Sequence, residues 1–99
     1  MLNRDPFVWQ VQIHREVLDD EVLRLRDVPY TVWRQTVVAP LVKTVRARDD
    51  KTYQLRVTAQ FVRGSQSLRV TLRLARPGLF RRHVMRQTFV VTPDNRFVI

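Results

Sequence analysis

The sequence predicts a single α+β domain, in which one N-terminal strand and one or two helices are followed by, and packed on, an antiparallel β-meander of three or four strands. Three observations carry this expectation. The second half alternates apolar and polar residues at period 2 in stretches separated by polar turns, part of the first half spaces its apolar residues at helical intervals, and 99 residues supply one hydrophobic core rather than two. With 44% hydrophobic and 27% charged residues and only two Gly, the composition excludes intrinsic disorder as the main description.

Taken in order, Phe7, Trp9, Val11 and Ile13 alternate with Val8, Gln10, Gln12 and His14, the pattern of a half-buried strand. Leu18, Val22 and Leu25 then recur at i, i+4 and i+7 and predict a helix over about 17–27. Its acids (Glu16, Asp19, Asp20, Glu21) come early and Arg24 and Arg26 late, as the helix dipole favours. Pro29 stops that helix and suits the first turn of another, in which Val32, Trp33, Thr36 and Val37 share a face. The β-branched run from Val37 to Val45 suits a strand equally well, so 30–48 stays open between the two.

After the polar turn Asp49-Asp50-Lys51 the alternation is plain. Tyr53, Leu55, Val57, Ala59 and Phe61 form one side of a strand, and Gln54, Arg56, Thr58 and Gln60 the other. Gly64-Ser65-Gln66 turns the chain, and Leu68, Val70, Leu72 and Leu74 oppose Ser67, Arg69, Thr71 and Arg73. Pro77-Gly78 makes the next turn before a strand over about 82–92, with Met85, Phe89 and Val91 against Arg82, Arg86 and Thr88. Pro93-Asp94-Asn95 turns once more ahead of Phe97-Val98-Ile99.

Charge is distributed unevenly. Basic and acidic residues balance in 1–50, whereas 51–93 holds nine basic residues and no carboxylate, so the net +9 belongs to the second half. Such a one-sign region concentrates polyanions around itself. There is no Cys, which excludes disulfides, zinc–thiolate and iron–sulfur centres and a thiol nucleophile. No apolar run approaches the ~18 residues of a membrane span, and Asp5-Pro6 interrupts the place where a signal sequence would become apolar, so the expected location is cytoplasmic and no membrane partner is expected. No phosphate-cradling glycine loop, nucleophile elbow or paired-histidine motif is present, so neither cofactor nor metal is expected.

The meander places Arg56, Arg69, Arg73, Arg82 and Arg86 together with Thr and Gln on the face away from the helices. Arg offers a planar fork of donors suited to phosphate, and Thr and Gln add neutral hydrogen bonds, so RNA or another polyanion is the first partner expected. An acidic protein is the second, and a merely solvated face is the plain alternative. No aromatic residue interleaves with these arginines, which argues against a base-stacking platform. His14 and His83 are the only imidazoles. Surface positions account for both most simply, but His83 lies in the basic stretch, where neighbouring cations favour a neutral general base. The acidic cluster at 16–21 fits a helix start better than a metal loop. Trp9, Trp33, Phe61 and Phe89 read as core.

The segment from Trp9 to Val17, the acidic helix ending near Leu23-Arg24-Leu25, the Tyr53-Gln54-Leu55-Arg56-Val57 strand and the Arg76-Pro77-Gly78 turn resemble the RelE/HigB-type toxins of bacterial toxin–antitoxin systems. That resemblance implies a compact basic endoribonuclease that cuts messenger RNA on the ribosome and is neutralised by an acidic antitoxin. It implies for Arg56 a catalytic or phosphate-binding cation and for Arg69 a second cation; His83, from the residues alone, is the only conventional base in the basic stretch. Gln54 departs from the Lys or Glu common in the family, and Thr58–Gln66 is longer than its usual turn. The competing expectation is a non-enzymatic helix-on-meander module of the cystatin/NTF2 kind, which binds nucleic acid or serves as a subunit of a larger assembly.

Overall fold

The computed structural model describes residues 6–76 and 83–99, with Pro6, Phe7 and His83 described by their backbone alone. Two helices, α1 (Pro6–Leu25) and α2 (Tyr30–Thr36), precede five strands: β1 (Leu41–Arg46), β2 (Thr52–Phe61), β3 (Leu68–Ala75), β4 (His83–Val91) and β5 (Phe97–Val98). The strands form one sheet in the order β1-β2-β3-β4-β5, antiparallel throughout. Helix α1 packs on β3 and β4, and α2 on β2 and β3, so both cover the same face. The α+β class holds, and the meander gains β1 and β5 as short flanking strands.

The N-terminal strand does not form: residues 7–14 are the opening turns of α1. Between Phe7 and Leu25 no Gly or Pro interrupts the helix, and Ile13, His14, Val17, Leu18, Glu21 and Val22 are buried at positions i, i+1, i+4, i+5, i+8 and i+9 of one helical face. His14 and Glu21 interrupt that face with polarity, which hides the helical period and leaves the accidental alternation of 7–14 to dominate. The longer helix also moves the acids 16–21 out of the first turns. Glu16 instead accepts from Arg48 Nε at 2.7 Å, and Glu21 is tied to the sheet.

The open segment 30–48 divides into α2 and β1. Trp33, Thr36 and the half-buried Val37 take the inward places expected of them, whereas Val32 is 41% exposed and Tyr30 is buried in its stead. Pro29 has no side-chain cap to give the helix, and the Tyr30 backbone N–H donates instead to Asn95 Oδ1 at 2.8 Å. The Tyr30 hydroxyl donates to the Gln66 carbonyl. One residue thus pins α2 to the β2–β3 and β4–β5 turns.

The β1–β2 and β4–β5 turns share one design. Asp50 N–H donates to Ala47 O at 3.0 Å and Asn95 N–H to Thr92 O at 2.9 Å, with Asp50 (φ 64°) and Asn95 (φ 66°) in the left-handed region. Asp and Asn tolerate that conformation better than other non-glycine residues. Gly64 (φ 73°) serves the β2–β3 turn. The expected Pro77-Gly78 turn lies outside the described residues.

Between helices and sheet, Leu55, Leu68, Val70, Leu72 and Leu74 are fully enclosed, and Trp33 meets Phe89 edge-on at 5.7 Å between ring centres. Phe89 in turn packs on Phe97 at 4.6 Å. Of the four aromatics expected in the core, Trp33 and Phe89 are there, Trp9 is half-buried beneath the Arg48 guanidinium, and Phe61 is 41% exposed at the end of β2. No helix among the described residues is long and apolar enough to cross a membrane.

One polar contact crosses this layer. The Glu21 carboxylate is 2% exposed, accepts from Arg24 Nη1 at 2.9 Å and faces the ammonium of Lys43, which stands on the helix side of β1. Removing one partner of a buried pair leaves the other uncompensated, whereas removing both does not. Lys43→Ala is expected to cost about 2–3 kcal/mol, below the usual 3–5 because Arg24 remains, and Glu21→Leu with Lys43→Ala to recover most of it. Urea denaturation of the single and double variants checks this. In the same assay Leu72→Ala should cost about 2–5 kcal/mol and Thr71→Ala, on the opposite face, about 1 kcal/mol or less.

Candidate nucleic-acid interface

The helix-free face of the sheet is built by register. Residues directly opposite in antiparallel strands point the same way, so the pairings Val42↔Arg56, Arg56↔Arg73 and Arg73↔Arg86 set three arginines abreast on β2, β3 and β4. Two residues along, Thr58↔Thr71 and Thr71↔Thr88 set three threonines abreast on the same strands. The next row is Gln60, Arg69 and Val90. Neighbouring strands lie about 4.8 Å apart, so the arginine Cα positions span about 10 Å, and the threonine row runs parallel to them about 7 Å away.

Threonine 71 is the floor of this face. It is only 9% exposed and lies at the bottom of a shallow concavity of about 420 Å³, rimmed by Gln60, Arg69, Arg73, Arg86 and Thr88. Arg73 Nη1 donates to the Thr58 hydroxyl oxygen at 3.1 Å, which fixes the guanidinium over the second row and leaves the Thr58 proton to donate elsewhere. Among the described residues no carboxylate pairs with Arg56, Arg69, Arg73 or Arg86. Arg15, Arg26, Arg34, Lys51, Arg63 and Arg76 likewise have no carboxylate pair among the described residues, whereas five other basic side chains do. Arg24 and Lys43 meet Glu21, Arg48 meets Glu16, Arg46 meets Asp50 and Arg96 meets Asp94. A second concavity, of about 410 Å³ between α1 and β1, is lined by both signs and is largely self-neutralised.

Four of the expected arginines are therefore together on one face, with Arg56, Arg73 and Arg86 in one row and Arg69 two rows away. Arg82 lies outside the described residues. The His83 backbone pairs with Ala75 across a register irregularity at the start of β4, and its side chain lies outside the described residues as well. Sequence patterning assigned the threonines to this face without showing that they align. Among the described residues, no group of three or more His, Asp or Glu side chains is placed to hold a metal ion.

His14 is not at the surface. It is buried on the opposite side of the sheet, with its ring edge-on to Tyr53 at 5.2 Å between centres. Burial, chiefly, and the charges of Arg76 and Lys51 hold its pKa below the ordinary 6.5, against the opposing pull of Asp49, which also accepts from the Tyr53 hydroxyl at 3.3 Å.

Comparison with protein-family models, curated proteins and solved structures finds no match to this chain.

The depressed pKa of His14 has a consequence for stability. Because the folded state binds its proton less readily than the unfolded chain, stability is complete above about pH 6.5 and falls as pH falls below it. Denaturation midpoints measured between pH 7.5 and 5.5 should decline for the wild type and stay nearly level for His14→Leu.

Proposed function

We propose that this protein is an RNA-binding module that grips the phosphate backbone with the helix-free face of its sheet. The observation that carries the reading is the row Arg56, Arg73, Arg86: three arginines abreast by register, with no carboxylate partner among the described residues. Like charges placed directly opposite on neighbouring strands repel, and a bound line of phosphates relieves that repulsion while satisfying the guanidinium donors. The aromatic side chains described are elsewhere, so affinity rests on phosphate and sugar rather than on stacked bases.

The ribosome-dependent endoribonuclease reading draws on the same row, since Arg56 stands where a cation would stabilise charge building on the phosphate during cleavage. Cleavage also requires a group that accepts the 2′-hydroxyl proton. On this face the described side chains beside the arginines are Thr, Gln and aliphatic ones, and His14 lies beneath the sheet. The side chain of His83, the base expected for that step, lies outside the described residues, and the arginine row by itself supports binding.

Each phosphate neutralised on a single strand contributes about −0.7 to the slope of log affinity against log salt, so three or four contacts give about −2 to −3. Filter binding of a single-stranded RNA across a salt series should return that slope, and Arg73→Ala should make it shallower by about 0.7 with little change in thermal midpoint. A flat salt response overturns the reading. Equal affinity for polyglutamate would point to an acidic protein partner, and Arg56-dependent cutting of a reporter message on translating ribosomes would restore the ribonuclease.

A further inference from the structure

Resting on the RNA reading, we infer that the strand crosses the sheet perpendicular to the β-strands, with phosphates on the Arg56–Arg73–Arg86 row and ribose 2′-hydroxyls on the Thr58–Thr71–Thr88 row. The register alone makes these two rows parallel and equal in length. A nucleic-acid backbone likewise carries its phosphates and its sugar hydroxyls along two parallel lines, and only RNA carries the second.

The threonines are equipped for that contact. A hydroxyl gives one proton and accepts at two lone pairs, as does the ribose 2′-hydroxyl. Thr58 has one lone pair occupied by Arg73 and its proton uncommitted, while the Thr71 and Thr88 hydroxyls make no hydrogen bond within the described residues. Thr71 is more than nine-tenths buried and still opens into the concavity, so its hydroxyl meets a ligand at a fixed place. The column along β3, in which Arg69 and Arg73 bracket Thr71, offers a competing track parallel to the strands. It provides only two cations about 13 Å apart and leaves Arg56 and Arg86 to either side. The row uses all three adjacent arginines, and a strand lying along it has the hydroxyl row beside it throughout.

The test uses two probes that differ only at the 2′ position, twelve-nucleotide oligouridylate and its 2′-deoxy counterpart, with anisotropy at fixed salt. The wild type should prefer the ribose probe, and Thr71→Val, which keeps shape and strand propensity, should weaken it about two- to tenfold while leaving the deoxy probe unchanged, the scale of one neutral hydrogen bond. Thr58→Val with Thr71→Val and Thr88→Val should abolish the preference. Arg56→Ala and Arg86→Ala should weaken both probes more than Arg69→Ala does, as the crossing track requires. Equal wild-type binding of the two probes, or equal loss of both on Val substitution, overturns the hydroxyl row and leaves salt-dependent RNA binding standing. A stronger effect of Arg69 than of Arg56 and Arg86 overturns the crossing track, and absence of binding to either probe overturns both inference and function. A circular-dichroism melt of each variant confirms that the folded protein is compared.

Discussion

The register of β2, β3 and β4 is the constraint on which the other features depend. Leu55 opposite Leu74, Val57 opposite Leu72 and Ala59 opposite Val70 place these side chains on the buried, helix-covered face. Side chains alternate at period 2, so this register also places the intervening residues outward, and a slip of either strand by one residue would drive its own arginine, Arg56 or Arg73, into the core. Burial thus enforces the alignment of the arginine and threonine rows. No contact among the arginines themselves is needed to hold them abreast, which is why a row of like charges persists on a stable sheet.

The helices are fixed to that sheet by unequal means. Helix α2 is short, and isolated helices of its length do not persist in water. It depends on Trp33 in the core and on Tyr30, which engages two turns from its first position. Helix α1 is long, but its inward face includes His14 and Glu21, so apolar burial is interrupted. Glu21 turns this to use by holding Lys43 on the helix side of β1. An inward-facing charge on an edge strand is one of the devices that discourage pairing with another chain. The pair therefore anchors α1 and guards the β1 edge together, while the arginine row lies on the other side of the sheet.

Legibility in the sequence followed the strength of the local period. Tyr53–Phe61 and Leu68–Leu74 alternate cleanly, and their faces, their turns and the sides taken by Arg56, Arg69 and Arg73 follow from that alternation. Helix α1 was legible only from Leu18 onward. Its first turns hold Phe, Trp, Val and Ile, residues that favour strands, in chance alternation, while Gln10 and His14 occupy places on the inward arc. Tertiary packing against β3 and β4 overrides that preference. The buried state of His14 was illegible for the same reason. Alignment across strands depends on loop length and turn geometry, not on composition, so the threonine row emerges only when Val62–Ser67 is seen to close the hairpin with Phe61 opposite Leu68.

The division of aromatic and cationic residues sets what kind of recognition this face can perform. Phe89 packs on both Trp33 and Phe97, Tyr53 packs on His14, and Trp9 lies under Arg48, all away from the arginine row. Bases crossing the outer face therefore meet no described ring on which to stack, and sequence preference of the stacking kind has no structural source there. What remains is a lattice of charge and hydroxyl at fixed spacing. Such a lattice distinguishes polymers by the spacing of their phosphates and the presence of a sugar hydroxyl, properties shared along an RNA strand whatever its sequence. Under the RNA-binding proposal, recognition of that kind would depend on the ligand's backbone, and the two rows would be the place where selectivity is decided.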